Sequence, residues 1–203
     1  MSKSSWFDDA ATSLAEKSWC HLPGVLPSSM IQGINTWIDQ QYDAGNFKPA
    51  EIGKGHRQKS ADTIRRDQTL WLKDDSEDHS IKELNTFIES LRVALNRELY
   101  SGLEAFEGHF SIYAPGSFYK RHLDTFRDDD SRSMTFIMYL NESWRDGDGG
   151  ELRLELDANR DTLIQPTAGT VVLFDSRQFF HEVMPARSER RSFNGWFKVR
   201  ALG

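Results

Sequence analysis

One cysteine, Cys20, occurs in 203 residues. A lone thiol forms no internal disulfide and no multi-cysteine metal site, which excludes a secreted disulfide scaffold, a zinc finger and a cysteine-ligated iron–sulfur cluster. No apolar run approaches the roughly 20 residues of a membrane helix, and Met1–Asp9 carry no apolar stretch of the signal-peptide kind. A cytoplasmic protein without a membrane partner is expected. Positive charge is also short: 25 Lys and Arg stand against 31 Asp and Glu, a net charge of −6, which argues against nucleic acid as a partner. Repeats and low-complexity tracts are missing. What remains is a chain long enough for one buried core, with six Trp and thirteen Phe to fill it or to line an apolar pocket.

The pattern predicts one domain over 1–203, with helix-rich support in 1–103 and a β-rich core in 104–203. Ile31, Ile34 and Ile38 recur at helical spacing in 28–44, behind the candidate caps Ser28 and Ser29. Ile81, Leu84, Ile88, Leu91 and Leu95 form one stripe in 80–100, where Ser80 and Glu83 suit a capping box and Gly102 lies past the end. Between them, 47–67 reads as a mobile basic loop around Lys54, His56, Arg57 and Lys59, with short strands near 47–52 and 69–72. Beyond 104 the candidate strands are 106–113, 119–124, 133–141, 150–156, 162–165, 170–175, 179–184 and 192–200. Short strands punctuated this closely predict a sandwich or jelly roll. In 133–140, Met134, Phe136, Met138 and Leu140 point one way, and Thr135, Ile137 and Tyr139 the other. The run Asp146-Gly147-Asp148-Gly149-Gly150 lacks the later acidic ligands of a calcium loop and reads as a hairpin turn. Asp128–Asp130 reads as a solvated loop.

The chemistry-bearing residues begin with His122 and Asp124. On a strand, positions i and i+2 share a face, so imidazole and carboxylate reach one point. His181 follows at the end of a later strand. Two His and one carboxylate on one face of an octahedron leave three positions open, the donor set of non-haem Fe(II) oxygenases. Arg190 opens the last strand; a guanidinium inside an apolar barrel needs an anion, and a dicarboxylate supplies one. Tyr139, on an inner face, adds a hydrogen-bond donor. Each residue alone also fits a structural role: a surface His–Asp pair, a His bonded to backbone, an Arg in a surface turn. Together, in strand context, they favour the metal site. His21, His56, His79 and His109 have no ligand-like spacing and are read as structural or surface residues; Cys20 is read as a buried packing residue.

In this setting the sequence resembles the Fe(II)- and 2-oxoglutarate-dependent dioxygenases, in the prolyl 4-hydroxylase branch that includes the hypoxia-inducible-factor (EGL-nine) hydroxylases and their bacterial relatives. The motifs are His122-x-Asp124, His181-Glu182-Val183-x-Pro185, Arg190 with Gly195-Trp196-Phe197, Ile64-Arg65-Arg66-Asp67-x-x-x-Trp71-Leu72, Tyr113-Ala114-Pro115-Gly116, Tyr119-x-Arg121-His122, Tyr139-Leu140-Asn141 and Gly149 to Leu154. The resemblance runs from about residue 22 to 200. It implies a mainly β fold, a double-stranded β-helix (cupin-like jelly roll) with supporting helices. It implies Fe(II) on His122, Asp124 and His181, and 2-oxoglutarate with its distal carboxylate on Arg190 and Tyr139. Tyr113 would lie near the metal-chelating end and Trp196 would wall the pocket. O₂ is the second co-substrate, and ascorbate is implied as a supporting reductant. Arg65, Asp67 and Arg132 match positions around the peptide site. Arg191 stands where relatives more often carry an aromatic or aliphatic residue. The implied reaction is C4 hydroxylation of a prolyl residue in a protein, with elongation factor Tu as the candidate in a bacterium and 47–64 as a finger closing over the peptide. The alternatives are a hydroxylase of a free amino acid or small molecule, and a non-catalytic metal-binding sensor on the same jelly roll.

Overall fold

The computed structural model describes residues 6–52, 59–60, 62–73, 76–125 and 131–200. The chain runs through α1 (Trp6–Lys17), β1 (Trp19–Leu22), α2 (Ser28–Asp43), β2 (Lys48–Pro49), β3 (Glu51–Ile52), β4 (Lys59–Ser60), β5 (Gln68–Trp71) and α3 (His79–Leu99). The strands β6 (Ala105–Tyr113), β7 (Tyr119–His122), β8 (Arg132–Tyr139), β9 (Leu152–Asp157), β10 (Arg160–Ile164), β11 (Val171–Asp175), β12 (His181–Val183) and β13 (Arg190–Lys198) follow. The centre of the basic loop, 53–58 with Lys54, His56 and Arg57, and the run Asp128–Asp130 lie outside the described residues. Among the described residues no helix is long and apolar enough to cross a membrane.

Two antiparallel sheets form the predicted jelly roll. The larger has the order β1-β11-β8-β13-β6-β5-β2, the smaller β10-β9-β12-β7, and β3 pairs with β4. The alternation along β8 decides what each face buries. Met134, Phe136, Met138 and Leu140 join Ile34 and Ile38 of α2 and Ile81, Leu84, Ile88, Leu91 and Leu95 of α3 in one core. Ile137 and Tyr139 turn the other way, into a second core with Leu152, Leu154, Val172, Phe174 and Phe179. The helices therefore cover one face of the larger sheet, and the smaller sheet faces the other, which lines the cavity. Each fully buried aliphatic residue in the α3 stripe contributes about 1.5–3 kcal/mol of transfer free energy.

Three local readings change. Helix α3 is capped by Asp78, not Ser80: Asp78 Oδ1 accepts from the backbone N–H of Ser80 at 2.8 Å and of Ile81 at 3.3 Å. A carboxylate here both satisfies free N–H groups and meets the positive end of the helix dipole. Helix α2 begins after Pro27 with no side-chain cap, so Ser28 and Ser29 lie inside it. The glycine-rich turn at 146–150 is not a hairpin, because it leads from β8 in the larger sheet to β9 in the smaller. Helix α1 and strand β1 carried no clear sequence signal. The residues α1 buries are Ala10, Ala11 and Leu14, too small a stripe to stand out.

Candidate active site

Strand register brings the site together. His181 on β12 lies directly opposite His122 on β7. On the larger sheet, Arg190 pairs with Tyr113, Ser192 with Ser111 and Tyr139, Asn194 with His109 and Ile137, and Trp196 with Glu107 and Thr135. Positions 190, 192, 194 and 196 alternate onto the inner face of β13. Arg190, Asn194 and Trp196 line a cavity of about 860 Å³ whose walls also include His122, Asp124, His181, Tyr113, Arg65 and Arg132.

The nearest ligand atoms of His122, Asp124 and His181 all lie within 4.8 Å of one another. His122 Nε2 is 3.4 Å from Asp124 Oδ1, and His181 Nε2 is 3.4 Å from Asp124 Oδ2. The far nitrogens meet backbone carbonyls: Nδ1 of His122 is 2.7 Å from Lys120 O, and Nδ1 of His181 is 3.1 Å from Phe179 O. A carbonyl only accepts, so each Nδ1 carries a proton, and each Nε2 is the nitrogen turned toward Asp124 that a cation would take. His122 also stacks on Tyr119, with centroids 3.6 Å apart. Burial alone would raise the Asp124 carboxyl. The facing imidazoles of His181 and His122 and the Thr135 hydroxyl outweigh it and hold the group well below the usual carboxylate range. The donor set is two imidazoles and one carboxylate, the composition that suits a divalent iron.

Arg190 is 1% exposed. Its Nε donates to Gly150 O at 2.9 Å and its Nη1 to Ser192 Oγ at 3.1 Å. Both acceptors are neutral, and among the described residues no carboxylate pairs with this guanidinium. The Tyr139 ring lies 5.1 Å from the guanidinium carbon, and its buried hydroxyl has no hydrogen-bond partner. A buried cation without an anion and an orphaned hydroxyl beside it fit one carboxylate of a bound ligand. Gly150 makes the approach possible: its φ is positive, and a Cβ there would sit 3.0 Å from Arg190 Cδ. Arg191 faces the other way, bonded to Asp39 at 2.7 Å and Glu189 at 2.8 Å.

The remaining predicted residues separate. Arg65 is on the cavity wall and 4.4 Å from the Tyr119 ring. Asp67 stands behind it, 2% exposed, bound to the guanidinium at 2.7 and 2.5 Å. Arg132 lies 3.6 Å over the Trp196 ring, bonded to Glu107 at 2.8 Å and to the Asp124 carbonyl at 3.3 Å. Sequence reasoning missed His109, which is 4% exposed, lines the cavity and packs against both Trp71 and Trp196 at centroid distances of 4.9 and 5.4 Å. The signal was available: on β6, His109 has the same parity as Tyr113.

Burial pushes His109 down to about 3, with help from Arg65, and His181 down to about 4, with help from His122. An unfolded His titrates near about 6.5. As pH falls from there toward 4, the unfolded chain binds protons that the folded chain refuses. The metal-free protein should lose stability across that window, on the order of 1 kcal/mol per imidazole per pH unit. Melting curves of His109→Phe should show a weaker pH dependence than the wild type, since one buried imidazole is gone.

A model of the 2OG-Fe(II) oxygenase superfamily matches residues 108–198. The structure of a Pseudomonas putida prolyl-4-hydroxylase is similar throughout, with 36% identity and a TM-score of 0.86 over 96% of this chain and 99% of that one. This chain belongs to the 2OG-Fe(II) oxygenase superfamily. A prolyl hydroxylase from Trichoplax adhaerens, solved with a hypoxia inducible factor peptide fragment, is 27% identical with a TM-score of 0.85, over 95% of this oxygenase and 89% of that chain. A prolyl 4-hydroxylase from Phytophthora capsici, 22% identical with a TM-score of 0.76 over 95% and 62% of the two chains, shares the fold. The oxygenase is thus an enzyme, a 2-oxoglutarate-dependent dioxygenase that uses Fe(II), 2-oxoglutarate and O₂.

Proposed function

We propose that this oxygenase hydroxylates C4 of a prolyl residue in a protein, with Fe(II) on His122, Asp124 and His181. The observation that carries the reading is a three-donor cluster and an anion-less buried guanidinium in one cavity. The bound iron and co-substrate supply the oxidising chemistry: as 2-oxoglutarate loses CO₂ and becomes succinate, one O₂ oxygen enters succinate and the other a substrate C–H bond. The chain supplies placement. Arg190 takes the distal carboxylate of 2-oxoglutarate in a two-point grip, and the Tyr139 hydroxyl donates to the same group. Tyr113, whose ring lies 4.9 Å from the Arg190 guanidinium carbon, would line the path of the co-substrate between Arg190 and the metal, and its phenol is kept protonated by burial. Trp196 and Ile137 exclude water around the reacting centre.

The substrate half of the cavity is walled by Arg65, Trp71, His109 and Arg132, with Lys48 and Glu51 among the described residues of the neighbouring loop. Arg65 is the substrate-facing member of its ion pair, and Asp67 holds it in place. Arg132, laid over Trp196, braces the wall. Support for a peptide substrate comes from the extent of likeness to the Pseudomonas putida enzyme and from the peptide bound by the Trichoplax adhaerens enzyme. In a bacterial host the candidate protein is elongation factor Tu, and ascorbate sustains turnover by keeping iron ferrous. Mass spectrometry of purified elongation factor Tu, incubated with the enzyme, Fe(II), 2-oxoglutarate and ascorbate, should show the mass of one oxygen atom added to a proline-containing peptide. Unmodified protein alongside hydroxylation of free proline would favour the small-molecule reading.

A further inference from the structure

Asp124 is held by more than the two imidazoles. Thr135 Oγ1 donates to Asp124 Oδ2 at 2.8 Å and lies 2.9 Å from Ser176 Oγ. A threonine hydroxyl has one proton. The ionised carboxylate takes it, so Ser176 is the donor in the second bond. The result is a directional chain, Ser176 to Thr135 to Asp124. Its members are buried, at 0%, 2% and 8% exposure. Ser176 is itself fixed, its backbone N–H donating to Ser133 O at 3.1 Å. In a medium this dry, linked hydroxyl bonds polarise and strengthen one another.

Asp124 needs this help because of where it sits. It lies past the end of β7, whereas His122 and His181 are strand residues locked by direct pairing. The main chain at 124 is held by Arg132, which donates to the Asp124 carbonyl at 3.3 Å. That bond leaves the rotation of the carboxyl group about its own axis unset. The Thr135 hydroxyl sets it, from the inner face of β8, a strand paired on both sides by β11 and β13.

We propose that Thr135, backed by Ser176, is a positioning residue for the metal centre: it fixes the Asp124 carboxylate with its oxygens toward the two imidazole Nε2 atoms, so that the ion meets a finished site. The proposal rests on Asp124 being a metal ligand. Groups that orient a ligand from behind change metal affinity by about 10–100-fold when removed.

Mn(II) alone is the probe, titrated into the full chain without oxygen while the free ion is followed by electron paramagnetic resonance. Thr135→Val keeps the shape and removes the hydroxyl, and should raise the Mn(II) Kd about tenfold. Thr135→Ser restores the donor and should stay within about twofold of wild type. Wild-type affinity in Thr135→Val, or equal weakening in both variants, overturns the proposal. If Thr135→Val does not fold, Ser176→Ala decides. It leaves the Thr135–Asp124 bond but removes its support, and should weaken Mn(II) about threefold; unchanged affinity there overturns the relay. Asp124→Ala separates the two levels. If it binds Mn(II) like wild type, the ligand assignment itself is wrong and the proposal falls with it.

Discussion

His181→Ala is expected to lower 2-oxoglutarate turnover by about a thousandfold or more, equivalent to about 4 kcal/mol in the barrier. The side chain is 5% exposed, and its Nδ1 is committed to the Phe179 carbonyl. Its Nε2 is one of the three atoms proposed to hold the metal, and among the described residues no fourth His, Cys, Asp or Glu joins that cluster. The fold should survive. His181 sits where β12 pairs with both β7 and β9, and those pairings are made by the backbone. Succinate formation, measured beside a far-ultraviolet dichroism spectrum, checks both halves. A folded variant with wild-type turnover would remove His181 from the metal site.

The second large effect is expected at Arg190. Arg190→Ala should raise the KM for 2-oxoglutarate by about a hundredfold, because a buried charge-assisted pair loses on the order of 3 kcal/mol when one partner is truncated. Lysine should recover only part of this: it supplies the charge but not the two parallel donors. Arg191→Ala is the control, since that side chain pairs with Asp39 and Glu189 on the opposite face, and its KM should stay within about twofold of wild type. The reverse ranking would exchange the roles of the two arginines. The split between KM and kcat matters as well. Loss of Arg190 should weaken co-substrate binding first, whereas loss of His181 should remove a proposed metal ligand and lower kcat.

Much of this arrangement was readable in the sequence because strands alternate. The parity of β8 separated the helix-facing Met134, Phe136 and Met138 from the cavity-facing Thr135, Ile137 and Tyr139, and both cores follow that division. The same parity on β13 puts Arg190 on the face of Trp196 and Arg191 on the other, which answers which guanidinium turns inward. The rest depended on contacts between distant segments. Thr135 and Ser176 meet only because β11 pairs with β8 in one register. Arg132 reaches Glu107 across the sheet, a partnership no local motif encodes. His109 was passed over as a histidine without ligand spacing, although its strand position set it beside the cavity. Helix α1 escaped notice because it docks through Ala10, Ala11 and Leu14. The α3 stripe fixed where that helix runs, but not which of the neighbouring polar residues would cap it.

One ion and one carboxylate ligand are expected to share this cavity. Diffraction from crystals grown with Mn(II) and 2-oxoglutarate, recorded where manganese scatters anomalously, tests it most directly. A single peak should appear within about 2.0–2.3 Å of His122, Asp124 and His181, with the far carboxylate of 2-oxoglutarate on Arg190 and the Tyr139 hydroxyl. A peak bonded to other residues, or a co-substrate carboxylate lying away from Arg190, would contradict it.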